Sequence, residues 1–221
     1  MNLGVLISGR GSNLGAILDA IRDRRLSARL RLVVSNKAGV AGLTRARDAG
    51  VLTQTIPHGD FPDRESFDAA LVEALVEAGV DWVVLAGFMR VLTPVFLDAY
   101  PNRVINIHPS LLPAFPGVNA QQQALDYGVR VTGCTVHLVD AGTDTGPIIA
   151  QAAVPVQDGD DREALANRIL SWEHEMLVRV LGWISENKIE IVPATAERRA
   201  RVRVFEERAT FGLGIDGLPV A

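Results

Sequence analysis

Cysteine is almost absent from this sequence, since Cys134 is the only one among 221 residues. An internal disulfide is therefore excluded, and the composition favours a reducing compartment, so we expect a cytoplasmic protein. The chain also lacks an excess of positive charge, because its formal net charge is −4. A surface built to neutralise the phosphates of nucleic acid is therefore not expected.

A long hydrophobic run is missing from the start of the chain. The opening MNLGVLISGRGSN has no basic residue before its apolar stretch and turns polar and rich in glycine after eight residues. Neither a signal peptide nor a membrane span is expected there. Hydrophobic residues make up 48% of the chain and charged residues 22%, which is typical of a soluble globular protein with a sizeable core. We see no linker or repeat, so the simplest expectation is one domain over residues 1–221.

Strand-like and helix-like patterns alternate through the first half of the chain. The apolar segments with the length of strands are 3–8, 30–35, 51–56, 81–86 and 103–108. Helical patterns lie between most of them, and the first consists of Leu14, Ile17, Leu18 and Ile21. Strands that are apolar on both faces and separated by helices predict a parallel sheet covered on both sides, which is an α/β fold. Two more extended segments, 129–139 and 147–156, follow in the second half.

Ligands of such sheets bind beyond the carboxyl ends of the strands. Three unusual sequences fall at that edge of the predicted sheet. They are Gly9–Asn13 after the first strand, Gly87–Leu92 after the fourth and His108 at the end of the fifth. We therefore expect the functional site at this edge.

The turn after the first strand, SGRGSN (8–13), is rich in glycine and polar groups. Glycine lets the backbone approach an anion, and the start of the following helix supplies unpaired N–H groups. Ser12 or Asn13 is also a suitable cap for that helix. The pattern lacks the Lys-Ser/Thr of a P-loop and the third glycine of a dinucleotide fingerprint. A site for a small phosphate monoester and a plain capped turn are both consistent with the spacing.

Asn106 and His108 lie two residues apart, where the fifth predicted strand meets a proline-rich loop. Because side chains alternate along a strand, both are expected on the same side. An imidazole at this place can move protons near neutral pH, and an asparagine amide can donate to a developing oxyanion. The pair is therefore a catalytic candidate, and a hydrogen-bonded pair with only a structural role is the alternative.

The segment DAGTDTG (140–146) places Asp140 and Asp144 in a glycine-rich loop after a strand that carries His137. Such a loop can close over a substrate and orient an imidazole, or it can be a turn whose aspartates bond their own backbone. A metal site built from His108, His137 and these aspartates is conceivable. No H-x-x-x-H pattern or cysteine cluster supports it, so no metal is expected.

Two further stretches allow two interpretations each. Glu173 lies on the apolar side of a helix predicted over about residues 161–186. A buried carboxylate needs partners, which are either sugar hydroxyls or an arginine of the protein. In GFMRVL (87–92), apolar side chains surround Arg90 at a strand end, where they either line a slot for a flat ring or belong to the core.

Five segments in this order resemble the folate-dependent formyltransferases: ISGRGSNL, VVSNKAG, VVLAGFMRVLTP, VINIHPSLLPAFPG and GCTVHLVDAGTDTGPII. The SGRGSN loop and the WEHEM segment are similar to the phosphoribosylglycinamide branch of that family in particular. The resemblance covers about residues 1–190 and implies a Rossmann-like, mostly parallel twisted sheet flanked by helices. It further implies a ribonucleotide-binding half at about 1–100, a folate-binding and catalytic half at about 101–190, and a tail at 191–221 without an assigned role.

The resemblance also implies roles for individual positions. The positions that match the catalytic residues of the family are Asn106, His108 and Asp144. The positions that match its phosphate-holding loop and its ribose-binding carboxylate are Gly11, Ser12, Asn13 and Glu173. The positions that match its folate contacts are Arg64, Met89, Arg90, Val91, Leu92, Asn106, Asp140, Ala141, Gly142 and Asp144.

The implied activity is transfer of the formyl group of 10-formyltetrahydrofolate to the glycinamide amine of N1-(5-phospho-D-ribosyl)glycinamide, a step of de novo purine (IMP) biosynthesis. The amine attacks the formyl carbon directly, and Asn106 and His108 stabilise the oxygen of the tetrahedral intermediate. The implied partners are these two small molecules, without metal, nucleic acid or membrane, in a monomer or homodimer. The alternatives are a formyltetrahydrofolate deformylase and a non-catalytic module that binds a phosphate ligand.

The chain departs from the family pattern after Gly117. It carries VNAQQQAL where relatives often have a stretch like HTHRQAL, so that Asn119 and Gln121 stand in place of histidines. Ala114 stands where a lysine is common. The three catalytic positions are unchanged by these differences.

Overall fold

The computed structural model describes residues 1–205. The strands in this range are β1 (Asn2–Ile7), β2 (Arg29–Ser35), β3 (Leu52–Thr55), β4 (Trp82–Leu85), β5 (Val104–His108), β6 (Val131–Leu138), β7 (Ile148–Pro155), β8 (Ile189–Val192) and β9 (Arg201–Val204). The α-helices are α1 (Ser12–Arg22), α2 (Ala41–Asp48), α3 (Arg64–Glu77), α4 (Pro94–Ala99), α5 (Ala120–Tyr127) and α6 (Arg162–Ser185), and a short 3-10 helix spans His58–Asp60.

Seven of these strands form one sheet in the order β3-β2-β1-β4-β5-β6-β7. The pairs β1–β2, β1–β4, β2–β3 and β4–β5 are parallel, whereas β7 runs antiparallel to β6. The predicted α/β fold, a mostly parallel sheet flanked by helices, is thereby confirmed. The sequence pattern did not predict α4 and α5, because helices of six and eight residues contain too few turns for a clear apolar period.

The chain divides into two compact units. The first consists of Met1–Asn106 together with Leu138–Ala141, and the second of Ile107–His137 together with the chain from Gly142 onward. The expectation of one domain over residues 1–221 stays a prediction. Of the predicted tail, residues 206–221 lie outside the described residues.

The core of the first unit lies between its parallel strands and α3. The buried side of α3 carries Phe67, Leu71 and Leu75, which join residues of β1, β2 and β4 in one hydrophobic cluster. Their spacing of four residues places them on one helix face. The start of α3 is fixed by the Asp63 carboxylate, which accepts a hydrogen bond of 2.7 Å from the backbone N–H of Ser66.

The second unit is built on the β6–β7 pair and on α6. The buried stripe of α6 includes Leu165, Ile169, Met176, Val180 and Trp183. Asp161 begins this helix, because its carboxylate accepts a hydrogen bond of 2.8 Å from the N–H of Ala164. Farther along, β9 pairs with β8 in a separate antiparallel ribbon. Within residues 1–205, no helix is long and apolar enough to cross a membrane.

Candidate active site

The turn between β1 and α1 depends on Gly11. This residue has a φ of +69°, and a Cβ added to it would lie 2.8 Å from the Cα of Gly42. Both the left-handed backbone and the close approach therefore require glycine here. Gly11 is also the N-cap of α1, and it offers no side-chain cap. The expectation that Ser12 or Asn13 caps α1 is therefore wrong: the helix already includes both residues, with Asn13 buried.

The segment Gly87–Leu92 follows β4 and shows alternating exposure. Phe88 and Leu92 are buried in the hydrophobic cluster, whereas Met89 is 69% exposed and Val91 49%. The interpretation as core therefore holds for Phe88 and Leu92, and a slot for a flat ring beside Met89 and Val91 stays a prediction. Arg90 between them is half-buried.

Three more of the predicted folate positions in the first unit lie on its other segments. Arg64 is exposed at the first residue of α3. Asp140 is half-buried and Ala141 exposed, after a strand end where the N–H of Val139 bonds the carbonyl of Val104 at 2.9 Å. This bond attaches the 138–141 segment to β5.

His108 and Asp144 form the centre of the second unit's candidate site. Nδ1 of His108 lies 3.3 Å from Oδ2 of Asp144, and the two side chains are only 6% and 12% exposed. Nε2 of His108 is 2.8 Å from the carbonyl oxygen of Phe115. Because both neighbours are acceptors, only a protonated imidazole donates from both nitrogens. The carboxylate and the carbonyl together fix the ring plane.

Asp144 itself is held by its backbone and by a second hydrogen bond. Its φ of +54° is in the left-handed region, which aspartate adopts more readily than most residues. Its Oδ2 also accepts a hydrogen bond of 2.7 Å from the N–H of Gly117, and its Oδ1 lies 3.7 Å from Nε2 of His137. The carboxylate thus faces two imidazoles and one backbone donor.

Asn106 lies on the same strand as His108. It is a half-buried residue of β5, and the strand ends at His108. The alternation predicted from the sequence puts both side chains on one side of β5. That Asn106 and His108 act together stays a prediction.

Comparison with known proteins decides the family. The sequence model of the formyl transferase family matches residues 1–181. The chain belongs to the formyl transferase family. It is 44% identical to the phosphoribosylglycinamide formyltransferase of Escherichia coli K12 over 191 residues, which cover 86% of this formyl transferase and 90% of that protein.

Other relatives extend the comparison. A trifunctional purine biosynthetic protein of Drosophila pseudoobscura pseudoobscura is 51% identical over 86% of the chain. The chain spans only 14% of that protein's length and 15% of the Drosophila melanogaster protein. Among solved structures, glycinamide ribonucleotide transformylase 1 of Symbiobacterium toebii has a TM-score of 0.89 and 50% identity, over 93% of this chain and 94% of that one.

The loop that holds the His108 partners is braced by two residues that the sequence patterns did not reveal. The hydroxyl of Thr135 donates to the carbonyl of Ser110 at 2.7 Å and accepts from the N–H of Leu112 at 3.0 Å. The amide of Gln151 donates to the carbonyl of Leu112 at 2.9 Å. Thr135 on β6 and Gln151 on β7 are cross-strand partners. In the sequence both are ordinary strand residues, and only the β6–β7 register brings them together.

Gly142 and Glu173 are the remaining predicted positions of the formyl transferase. A Cβ added at 142 would collide with the side chain of Thr145, which would have to move. Glu173 is buried on α6, with 7% of its surface exposed. Burial and the nearby Glu173 carboxylate raise the pKa of the Cys134 thiol to about 12. Cys134 therefore stays protonated at neutral pH and is not a nucleophile.

A metal site was considered from the sequence for the two histidines and the aspartates of the 140–146 loop. In residues 1–205, no group of three or more histidine, cysteine, aspartate or glutamate side chains is arranged to hold a metal ion. The short contacts of Asp144 go to His108 and to a backbone N–H instead.

Proposed function

We propose that this formyl transferase moves the formyl group of 10-formyltetrahydrofolate to the amine of N1-(5-phospho-D-ribosyl)glycinamide, as a step of purine biosynthesis. The observation that carries the proposal is the His108–Asp144 pair at the end of β5, with a distance of 3.3 Å. The names of the relatives that align over most of their own length agree with it.

The proposed reaction begins with attack of the glycinamide amine on the formyl carbon. A new C–N bond forms, and the carbonyl oxygen becomes an oxyanion. Asn106 and protonated His108 donate hydrogen bonds to that oxygen, and one such donor contributes roughly 10²–10³ in rate. The bond from carbon to N10 of the folate then breaks, N10 takes up a proton, and the amine gives one up.

Asp144 has a supporting part in this scheme. Its carboxylate faces Nδ1 of His108 and keeps the ring oriented and charged while the oxyanion exists. The bond from Gly117 holds the carboxylate in place at 2.7 Å. We assign proton transfer from the amine toward N10 to a path through Asp144 and water.

The phosphate of the ribonucleotide is proposed to bind at Gly11, Ser12 and Asn13. The first turn of α1 presents backbone N–H groups at a start that has no side-chain cap, and such groups favour an anion. Glu173 is proposed to accept hydrogen bonds from the ribose hydroxyls. Its low exposure of 7% means that it has to be paired when charged.

The folate is proposed to contact the segment Gly87–Leu92 and the 140–144 loop. The contacts assigned to it are Arg64, Met89, Arg90, Val91, Leu92, Asn106, Asp140, Ala141, Gly142 and Asp144. The exposed apolar side chains of Met89 and Val91 are suited to a flat ring system. The exposed guanidinium of Arg64 is suited to a carboxylate of the folate tail.

The test is release of tetrahydrofolate from 10-formyltetrahydrofolate, measured with and without the ribonucleotide. Turnover that requires the ribonucleotide supports formyl transfer, whereas equal turnover without it indicates the deformylase. His108→Ala should then reduce kcat by roughly 10²–10³. Asp158→Asn is the matched control for surface charge, because Asp158 is exposed and pairs with the exposed Arg130. No turnover in either reaction would refute the proposal.

A further inference from the structure

The segment Gly87–Leu92 is held by more than its buried apolar side chains. Phe88 and Leu92 anchor it to the hydrophobic cluster. In addition, two backbone N–H groups, one within the segment and one directly after it, are bound by buried polar side chains from other parts of the first unit. These are the N–H of Met89, bound by Ser8, and the N–H of Thr93, bound by Asp68.

Ser8 receives the N–H of Met89 with a defined hydroxyl orientation. The distance from Met89 N to Ser8 Oγ is 3.0 Å, and Ser8 Oγ itself donates to Oδ1 of Asn36 at 2.7 Å. Because the only hydroxyl hydrogen is directed at Asn36, a lone pair is left for Met89. Ser8 is 8% exposed and Asn36 3%, so water does not compete for these groups.

Asn36 is oriented in turn by His58. The Nδ2 of Asn36 lies 3.3 Å from Nδ1 of His58, which follows β3. Side chains after three neighbouring strands, β1, β2 and β3, thus form one chain of hydrogen bonds that ends on the Met89 backbone. These hydrogen bonds fix the orientation of the Asn36 amide, and therefore the orientation of the Ser8 hydroxyl.

Asp68 binds the other end of the segment. Its Oδ2 lies 2.6 Å from the N–H of Thr93, and Asp68 is only 1% exposed on the inner side of α3. Burial raises the pKa of this carboxyl group, and the hydrogen bond from Thr93 opposes that rise. A carboxyl group is costly in this place, and an apolar residue would pack there without that cost. An apolar residue could not form the hydrogen bond with the N–H of Thr93, because that bond requires an acceptor.

We propose that Ser8 and Asp68 are positioning residues for the formyl folate. They fix the backbone between Met89 and Thr93, so that Met89, Arg90 and Val91 are held in the conformation that binds the cosubstrate. This proposal rests on the proposed function, because it takes these three residues as folate contacts. Neither Ser8 nor Asp68 touches the reacting atoms in this scheme.

Loss of the hydrogen bond from Met89 to Ser8, or of that from Thr93 to Asp68, should weaken the binding of the folate and not that of the ribonucleotide. A segment that is released at one end spends part of its time in other conformations. The apparent affinity for 10-formyltetrahydrofolate then falls in proportion to the fraction of molecules in which the segment keeps its binding conformation. We expect Ser8→Ala and Asp68→Ala to raise the KM for 10-formyltetrahydrofolate roughly five- to fiftyfold, because Ser8→Ala leaves the part-buried N–H of Met89 without its acceptor and Asp68→Ala the buried N–H of Thr93. The KM for the ribonucleotide and kcat should change by less than about twofold, since neither Ser8 nor Asp68 is one of the residues assigned to the phosphate or to the catalytic centre.

Two variants separate positioning from general destabilisation. Asp68→Asn keeps an oxygen that can accept from Thr93, so its KM for the folate should stay near that of the wild type. Ser35→Ala is the matched control for Ser8→Ala, because Ser35 is a fully buried hydroxyl at the end of the neighbouring strand. It donates to the carbonyl of Lys37 at 2.7 Å and accepts its N–H at 3.0 Å. A rise in folate KM in Ser35→Ala equal to that in Ser8→Ala would overturn the proposal, as would equal rises in Asp68→Asn and Asp68→Ala.

Amide hydrogen exchange in the protein without substrates tests the anchors independently of activity. Exchange at Met89 should accelerate in Ser8→Ala, and exchange at Thr93 in Asp68→Ala, while α6 stays protected in both. Unchanged exchange at both amides would overturn the anchoring. Faster exchange with an unchanged folate KM would overturn the positioning role. If the wild-type protein transfers no formyl group, the proposed function is refuted. The hydrogen-exchange result does not depend on that outcome.

Discussion

Replacement of Gly11 by alanine is a sharp test of the proposed phosphate loop. At a φ of +69°, an alanine pays the left-handed penalty of about 1–2 kcal/mol. Its Cβ would also lie 2.8 Å from the backbone Cα of Gly42, and such overpacking typically costs about 1–3 kcal/mol more. We therefore expect Gly11→Ala to lower the free energy of unfolding by about 2–5 kcal/mol.

Gly50→Ala is the matched control for this change. Gly50 has a φ of +73°, but nothing lies within 4 Å of a Cβ added there. Only the conformational penalty of about 1–2 kcal/mol is therefore expected for Gly50→Ala. The difference between the two variants in urea unfolding isolates the contact with Gly42.

The kinetic consequence of Gly11→Ala should be confined to the ribonucleotide. A shifted turn moves the N–H groups at the start of α1, and the loss of one charge-assisted hydrogen bond corresponds to a rise in KM of about tenfold or more. The KM for the folate should be unaffected, and Gly50→Ala should leave both KM values unchanged. Equal losses of stability in the two variants, with an unchanged ribonucleotide KM in Gly11→Ala, would refute the reasoning.

Three further outcomes are expected. Asp144→Asn should lower kcat by roughly 10²–10³ in the tetrahydrofolate assay, because a neutral amide no longer stabilises the charged imidazole; an effect as small as that of Asp158→Asn would contradict the assigned role. Iodoacetamide at pH 8 should leave Cys134 unmodified by mass spectrometry in the folded protein and label it in urea, since burial and a carboxylate raise its pKa to about 12. Because burial raises the pKa of Asp68, the folded state binds that proton more tightly than the unfolded state, and the stabilisation present at low pH is lost as pH rises through the folded pKa. The unfolding free energy of Asp68→Asn, relative to wild type, should therefore be higher at pH 7 than at pH 4, and an equal difference at both pH values would contradict a raised pKa for Asp68.

The sheet was predictable from the sequence because its central strands are buried on both faces. A segment such as β1, in which five of six residues are buried, appears as a continuous apolar run that ends at glycine. The long helix α6 was predictable because 24 residues repeat the apolar period many times. Elements of this kind leave a signal that depends only on the order of residue types.

The parts that could not be predicted depend on contacts between distant residues. Thr135 and Gln151 are ordinary strand residues until the β6–β7 register places them opposite each other. Asp68 interrupts the apolar face of α3, and only its contact with Thr93 explains why. The N-cap of α1 was assigned to a polar side chain because capping preferences describe the average helix, whereas the close approach of Gly42 decides the conformation here.

The bond between Nε2 of His108 and the carbonyl of Phe115 has a consequence for how a ligand reaches the imidazole. A carbonyl oxygen can only accept, so this nitrogen carries its hydrogen before any substrate arrives. When a substrate oxygen takes this hydrogen bond, it replaces the carbonyl oxygen of Phe115 as the acceptor. The imidazole does not have to lose a hydrogen bond to bulk water. Replacing the Phe115 carbonyl oxygen with a planar formyl oxygen as the acceptor changes the free energy little. The replacement becomes favourable only as the formyl oxygen gains negative charge. In the proposed reaction, a main-chain carbonyl thus sets the reference state against which His108 would discriminate an oxyanion from the ground-state amide.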